Sequence, residues 1–270
     1  MLKINKLKHH ITAFNSLSSL ALQAVTTISG LIIPRLIISK LGSDVNGLVS
    51  SLTQFLNFVA LLEGGLSAVI MANLYKPIAE NDHEKINSIV KTTQKFYRNV
   101  SFIFIAYAIG LAIIYPLVVR SSFSFGYIST LTLIMAVSVF VQYNMALSLK
   151  ILLNAGKKVY IVSLTQIAII ILNTLATIVI LNFWPNIHLV KIVAAMFYLL
   201  QPIIYSHFTK KHFHINKNSS IDKTLLKERW SGFGINIAAF IHYNTDVIVL
   251  TLFTNLEMVS VYSVYALVTT

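Results

Sequence analysis

The sequence predicts an all-α polytopic membrane protein, and three observations predict it. Hydrophobic residues fill 56% of the 270 positions and charged residues only 11%, far from the balance of a water-soluble domain. Apolar runs of about 20 residues, the length that crosses the hydrocarbon, recur with short polar pieces between them. The lysines and arginines collect in alternate connections, as cytoplasmic retention of basic residues requires. Helices rather than barrel strands follow because backbone groups in lipid must satisfy one another and the runs lack period-two alternation.

Taken in order, the runs predict seven full spans and the start of an eighth: 16–39, 47–74, 99–119, 127–149, 159–181, 188–208, 231–253 and 258 onward. The first follows a Lys-rich start that mimics a signal peptide. It continues past 20 residues with no small-residue cleavage site, so it is read as a retained helix. Pro34 near its end predicts a bend that turns Arg35 away from lipid; snorkelling of Arg35 to the outer interface is the equal alternative. The second span carries Glu63 just past its midpoint, followed by Gly64 and Gly65. The glycines permit a helix break or close backbone approach, with ordinary small-residue packing as the other reading.

Before the third span, Ile86, Ile89, Val90, Thr93 and Tyr97 recur at helical spacing with lysines opposite, which predicts an amphipathic extension of that helix. Asn144 on the fourth span and Gln166 and Asn173 on the fifth are amides that bridge helices more often than they bind substrate. The most polar stretch, "TKKHFHINKNSSIDKTLLKERW", marks the end of a six-helix unit (1–208). It predicts a cytoplasmic loop over 209–229 and the beginning of a second unit over 230–270. Gly232 and Gly234 predict close helix packing at the start of the seventh span. Asp246 lies near its middle, and His242 shares a face with it four residues earlier. The eighth run ends after about a dozen residues, too few to cross, so the sequence is expected to be truncated.

The net charge of +12 is topological first. Seventeen basic residues fall in the N-terminal, second-to-third, fourth-to-fifth and sixth-to-seventh segments, against four (Arg35, Lys40, Arg120 and Lys191) on the other side. The N-terminus is therefore inside. No recognition module accompanies these residues, which argues against nucleic acid and for lipid-phosphate contact. Trp184 and Trp230 fall at opposite interfaces, and the Asn218-Ser219-Ser220 triplet falls inside, where it is not glycosylated. Cysteine is absent, which excludes disulfides and thiolate metal sites. Phosphate loops and hydrolase or zinc-protease motifs are absent too, and His212 and His214 lack a third ligand.

Intramembrane ionisable groups carry the functional signal, because each costs at least about 2.5 kcal/mol at mid-bilayer and so faces a partner or water. Glu63 and Asp246 are the two candidates, either as protonated carboxyls bonded to a neighbouring helix or as lining of a hydrated path. His242 with Asp246 forms a candidate proton-sensitive pair.

The stretch "GLIIPRLIISKLGSDVNGLVSSLTQFLNFVALLEGGLSAVIMANLYKPIAENDHEKINSIVKTT" combines a proline before a basic apolar stretch, Leu41-Gly42, Asp44, Gly47, an acid-glycine pair and "INSIV" after a charged loop. In order and spacing it resembles the first-to-third-helix region of Wzx-type polysaccharide flippases, of the multidrug/oligosaccharidyl-lipid/polysaccharide exporter superfamily. "NTDVIVLTLFTNLEMVSVYSVY", at 244–265, resembles the seventh helix and following turn of that family. The resemblance implies two six-helix lobes around a cavity that opens alternately to each side, with this chain supplying the first lobe and the beginning of the second. It implies a transporter, not an enzyme, that flips undecaprenyl-diphosphate-linked oligosaccharide across the bacterial plasma (inner) membrane for O-antigen or capsule assembly. Arg35 is then the best cavity cation, with Arg98 and Lys150 on the cytoplasmic approach. Glu63, Asp246 and His242 would tune the cavity or couple transport to H+ or Na+, with no other cofactor and no metal centre. Membrane lipids, a polysaccharide polymerase and glycosyltransferases are the implied partners.

Three other readings compete. A drug or organic-cation antiporter of the same superfamily would use Glu63 or Asp246 for the coupling ion. A membrane glycosyltransferase or polymerase needs a large outer loop with acidic residues, which the short outer connections do not provide. The last is a nonfunctional truncated remnant.

Overall fold

The computed structural model describes residues 2–63, 65–213, 220–221 and 233–269, and every regular element among them is helical. The helices are α1 (Leu2–Leu41), α2 (Ser43–Leu56), α3 (Val59–Glu63), α4 (Leu66–Glu80), α5 (His83–Val118), α6 (Phe125–Val141) and α7 (Leu147–Ala155). They continue as α8 (Val159–Phe183), α9 (Ile187–Tyr198), α10 (Leu200–His212), α11 (Phe233–Phe253) and α12 (Leu256–Thr269). A single π turn, Gln142–Ala146, joins α6 to α7.

Among the described residues, six helical stretches are long and apolar enough to cross a membrane: Ile11–Leu41, Ser43–Glu63, His83–Val118, Phe125–Ala155, Val159–Phe183 and Ile187–His212. The chain is a membrane-embedded helical protein. Sequence patterning expects seven full spans and the start of an eighth; beyond these six, α11 is a helix of 21 residues and α12 one of 14. Most of the loop 209–229, with Gly64, Trp230 and Gly232, lies outside the described residues, and α10 runs on to His212.

The second expected span departs most. A continuous helix over 47–74 is instead three pieces, because two turns interrupt the regular ladder. At Asn57 and Phe58 the ladder tightens, with the Phe58 amide donating to the Phe55 carbonyl at 3.1 Å and the Leu61 amide to the Phe58 carbonyl at 3.0 Å. At Gly65 the backbone is left-handed, with φ 79°, which L side chains rarely adopt. Pro34, by contrast, is accommodated inside α1, which is continuous from Leu2 to Leu41.

The extension before the third span is a real part of α5. Asp82 caps it by accepting from the Lys85 amide at 2.9 Å, and Ile86, Ile89, Val90, Thr93 and Tyr97 are all buried. The opposite face, with Phe102, Ile103, Ile109, Ile113 and Leu117 exposed, is the face for lipid. Side chains of Ser124 and Asn186 cap α6 and α9 in the same way.

α1 lies along α8 and α2, α5 along α6, and α6 along α9, while α2 packs closely against α12. Lipid tails are as apolar as leucine, so these contacts hold by close packing and interhelical hydrogen bonds rather than by the hydrophobic effect. Gly47 shows how close: a Cβ there would stand 1.8 Å from the Leu256 carbonyl oxygen. Gly234, expected to serve the same purpose, has open space where a Cβ would stand, with nothing within 4 Å, so it does not carry a close helix contact. Asn144 does bridge helices, donating to the Ser101 hydroxyl at 2.8 Å, whereas the Asn173 side-chain oxygen is buried without a hydrogen-bond partner.

Candidate functional site

Two interruptions of helix geometry converge on Glu63. It is the last residue of α3, one short step before the left-handed Gly65, and the π turn that joins α6 to α7 presents Tyr143 to it. π turns inside helices occur frequently at functional sites, because they re-aim side chains that a regular ladder would point elsewhere. Ser67, on α4, donates to Glu63 Oε1, and Tyr97, on α5, donates to the same oxygen at 3.0 Å. The Ser67 and Tyr97 hydroxyl oxygens are 2.8 Å apart. Tyr143 lies within electrostatic reach of the same carboxylate. Tyr97 is fully buried and its ring meets that of Tyr143 edge-on at 6.2 Å.

Lys150, half-buried on α7, lies within electrostatic reach of this carboxylate without closing an ion pair on it. Four elements therefore surround one anionic group: α4, α5, the π turn and α7. Hydrogen bonds to a charged group contribute about 1.5–3 kcal/mol each, so two hydroxyls and a nearby ammonium can hold a carboxylate that apolar helices alone would not.

Glu63 is expected just past the middle of a long span. In the structure it is the last residue of α3, with the left-handed Gly65 and then α4 after it, and Tyr97 lies about 32 Å from the Val118 end of α5 at 1.5 Å per residue.

The remaining site residues are placed elsewhere. Arg35 is exposed on α1, about 9 Å from its Leu41 end. Arg98, next to Tyr97, is exposed on the neighbouring face of α5. Neither arginine forms an ion pair among the described residues. Asp246 is exposed on α11, three residues past the middle of that helix, and accepts a hydrogen bond from the Tyr262 hydroxyl of α12. His242 is exposed one turn before it. Gly64 lies outside the described residues. Around Glu63 the structure gathers Lys150 and the helix break at Gly65 from among the sequence candidates.

A second polar group, with no signal of its own in the sequence, joins α2, α5, α11 and α12. Ser51 accepts from Tyr115 at 2.6 Å and from Thr251 at 2.8 Å, Asn46 donates to Ser260 at 2.9 Å, and Ser50 donates to Ser263 at 3.2 Å. Ser51, Ser260, Thr251 and Asn46 are all buried. These bonds seal α2 against α11 and α12, away from the Glu63 cluster.

Comparison with protein-family models, with curated proteins and with solved structures finds no match to the chain.

Proposed function

We propose that the protein is the first part of an alternating-access transporter that moves an undecaprenyl-diphosphate-linked oligosaccharide across the bacterial plasma membrane for surface polysaccharide assembly. The observation that carries this reading is the Glu63 cluster: a carboxylate at a double helix break, with a half-buried Lys150 nearby that is not closed onto it. In this reading Lys150 receives the diphosphate as the substrate arrives from the inner leaflet. Glu63 holds the ammonium in place between substrates, and its proton or a sodium ion is the candidate coupling species. The seal between α2 and α12 is, in this reading, the closure to the outside. The glycosyltransferases would supply the substrate and the polysaccharide polymerase would consume it.

The test is complementation in a bacterium whose surface polysaccharide depends on the full-length protein. Lys150→Glu should abolish polymer, Lys150→Arg should retain it, and Glu63→Gln should reduce it. Normal polymer from Lys150→Glu at normal expression overturns the reading. A cell that instead loses organic-cation dye efflux in Glu63→Gln but keeps it in Lys150→Glu indicates the drug antiporter.

A further inference from the structure

Arg35 is the strongest cation candidate in the sequence, yet it is remote from the Glu63 cluster and has no ion-pair partner among the described residues. It lines a cavity instead. Between α1 and α12 there is a crevice of about 600 Å³, within the range of small-molecule sites, walled by Leu31, Ile32, Pro34 and Ile38 from α1 and by Val264 and Leu267 from α12. The two helices meet beside it at Gly30, where a Cβ would stand in ordinary contact, 3.5 Å, with a Leu267 methyl.

The lining is polarised along the membrane normal. Apart from Arg35 and Ser39 every wall residue is apolar, and these two lie one and two helical turns outward of Leu31. The Ser39 hydroxyl is already committed, donating to the Leu36 carbonyl at 3.0 Å. Arg35 is therefore the polar group left for a ligand. Lys40, exposed in the last turn of α1, adds a second positive charge at headgroup level; the acids at the neighbouring helix ends, Asp44 in the first turn of α2 and Glu257 in the first turn of α12, are both exposed and do not line the crevice.

We propose that this crevice binds an anionic glycerophospholipid from the outer half of the bilayer, one acyl chain lying in the apolar slot and the phosphate on the Arg35 guanidinium. A hydrocarbon slot topped by one cation at the interface matches a lipid chain below its phosphate, and no peptide or soluble metabolite pairs those two features in that order. The planar guanidinium takes a phosphate through two parallel hydrogen bonds, while its stem lies along the apolar wall. The Arg35 and Lys40 charges, unfavourable to a choline cation beside them, together give the preference for a net-negative headgroup over a zwitterionic one. This inference does not rest on the transport reading and stands or falls separately from it.

The 270-residue chain in nanodiscs of mixed phosphatidylglycerol and phosphatidylcholine, released into native mass spectrometry, tests it. The parent protein should retain phosphatidylglycerol preferentially. Arg35→Gln should lose about tenfold of that preference, the factor one charge-assisted pair carries, while Arg35→Lys keeps most of it. Leu267→Trp, which fills the slot, should displace the lipid with Arg35 intact, and Arg98→Gln should change nothing. Equal retention of the two lipids by the parent protein, or unchanged preference in both Arg35→Gln and Leu267→Trp, overturns the proposal. So does retention of undecaprenyl phosphate without phosphatidylglycerol, which would make the crevice a substrate site instead.

Discussion

Replacing Gly47 with alanine tests the seal between α2 and α12 most directly. The added methyl would stand 1.8 Å from the Leu256 carbonyl oxygen, 2.7 Å from its carbon and 3.2 Å from its Cα. A carbon and a carbonyl oxygen come no closer than about 3.3 Å, so α12 must withdraw by roughly 1.5 Å. All three obstructing atoms are backbone, and no rotamer change relieves them. Overpacking of this kind costs about 1–3 kcal/mol. Withdrawal that also breaks the buried Asn46–Ser260 bond costs roughly a further 1–3 kcal/mol for the groups left unsatisfied. Thermal unfolding in detergent should show Gly47→Ala below the parent by about 2–4 °C per kcal/mol lost. Gly110→Ala, on α5 with nothing within 4 Å, is the control and should not fall. Because the chain has no cysteine, a Ser50→Cys/Ser263→Cys pair can report the seal itself, and its oxidation should slow in the Gly47→Ala background. If Gly47→Ala melts with the parent and the cysteine pair closes at the same rate, α2 and α12 do not pack as described.

Other outcomes rest on the same kinds of contact. Ser51→Ala removes the acceptor shared by Tyr115 and Thr251, so its loss of about 1–3 kcal/mol should not add to that of Tyr115→Phe in a double-mutant cycle on thermal stability. Gly156→Ala meets the ring end of Phe213 at 2.4 Å rather than a backbone wall, so it should cost less than Gly47→Ala in the same assay, Phe213 moving aside. Asn186→Ala removes a cap that accepts from the His188 amide at 2.9 Å and the Leu189 amide at 3.2 Å; about 1 kcal/mol of stability should go with it. Single cysteines should label with an impermeant thiol reagent in intact cells at Ser122 but not at Asn81, and the reverse pattern would invert the topology drawn from the basic residues.

The class of this protein is written in its amino acids alone. Hydrocarbon demands long apolar helices with paired backbones, and composition, run length and the side-to-side asymmetry of lysine and arginine report that demand directly. The buried stripe from Ile86 to Tyr97 is legible too, because helical periodicity is a local property. The break after Glu63 is legible in kind from Gly64-Gly65, whereas the tight turn at Asn57 is not, because hydropathy does not mark it.

Which polar residues meet is a matter of three-dimensional packing. Tyr97, Tyr143 and Ser67 read locally as ordinary helix residues, and they gather about one carboxylate because the π turn carrying Tyr143 and the left-handed glycine before Ser67 pack beside Tyr97 of α5. The same holds for Ser51 and Thr251, 200 residues apart, and for Arg35, whose neighbours on α12 give it an apolar slot rather than a central cavity. Local patterns record the solvent each helix face meets. Which helix fills the space opposite that face is set by packing between distant segments, and no window of the sequence contains both.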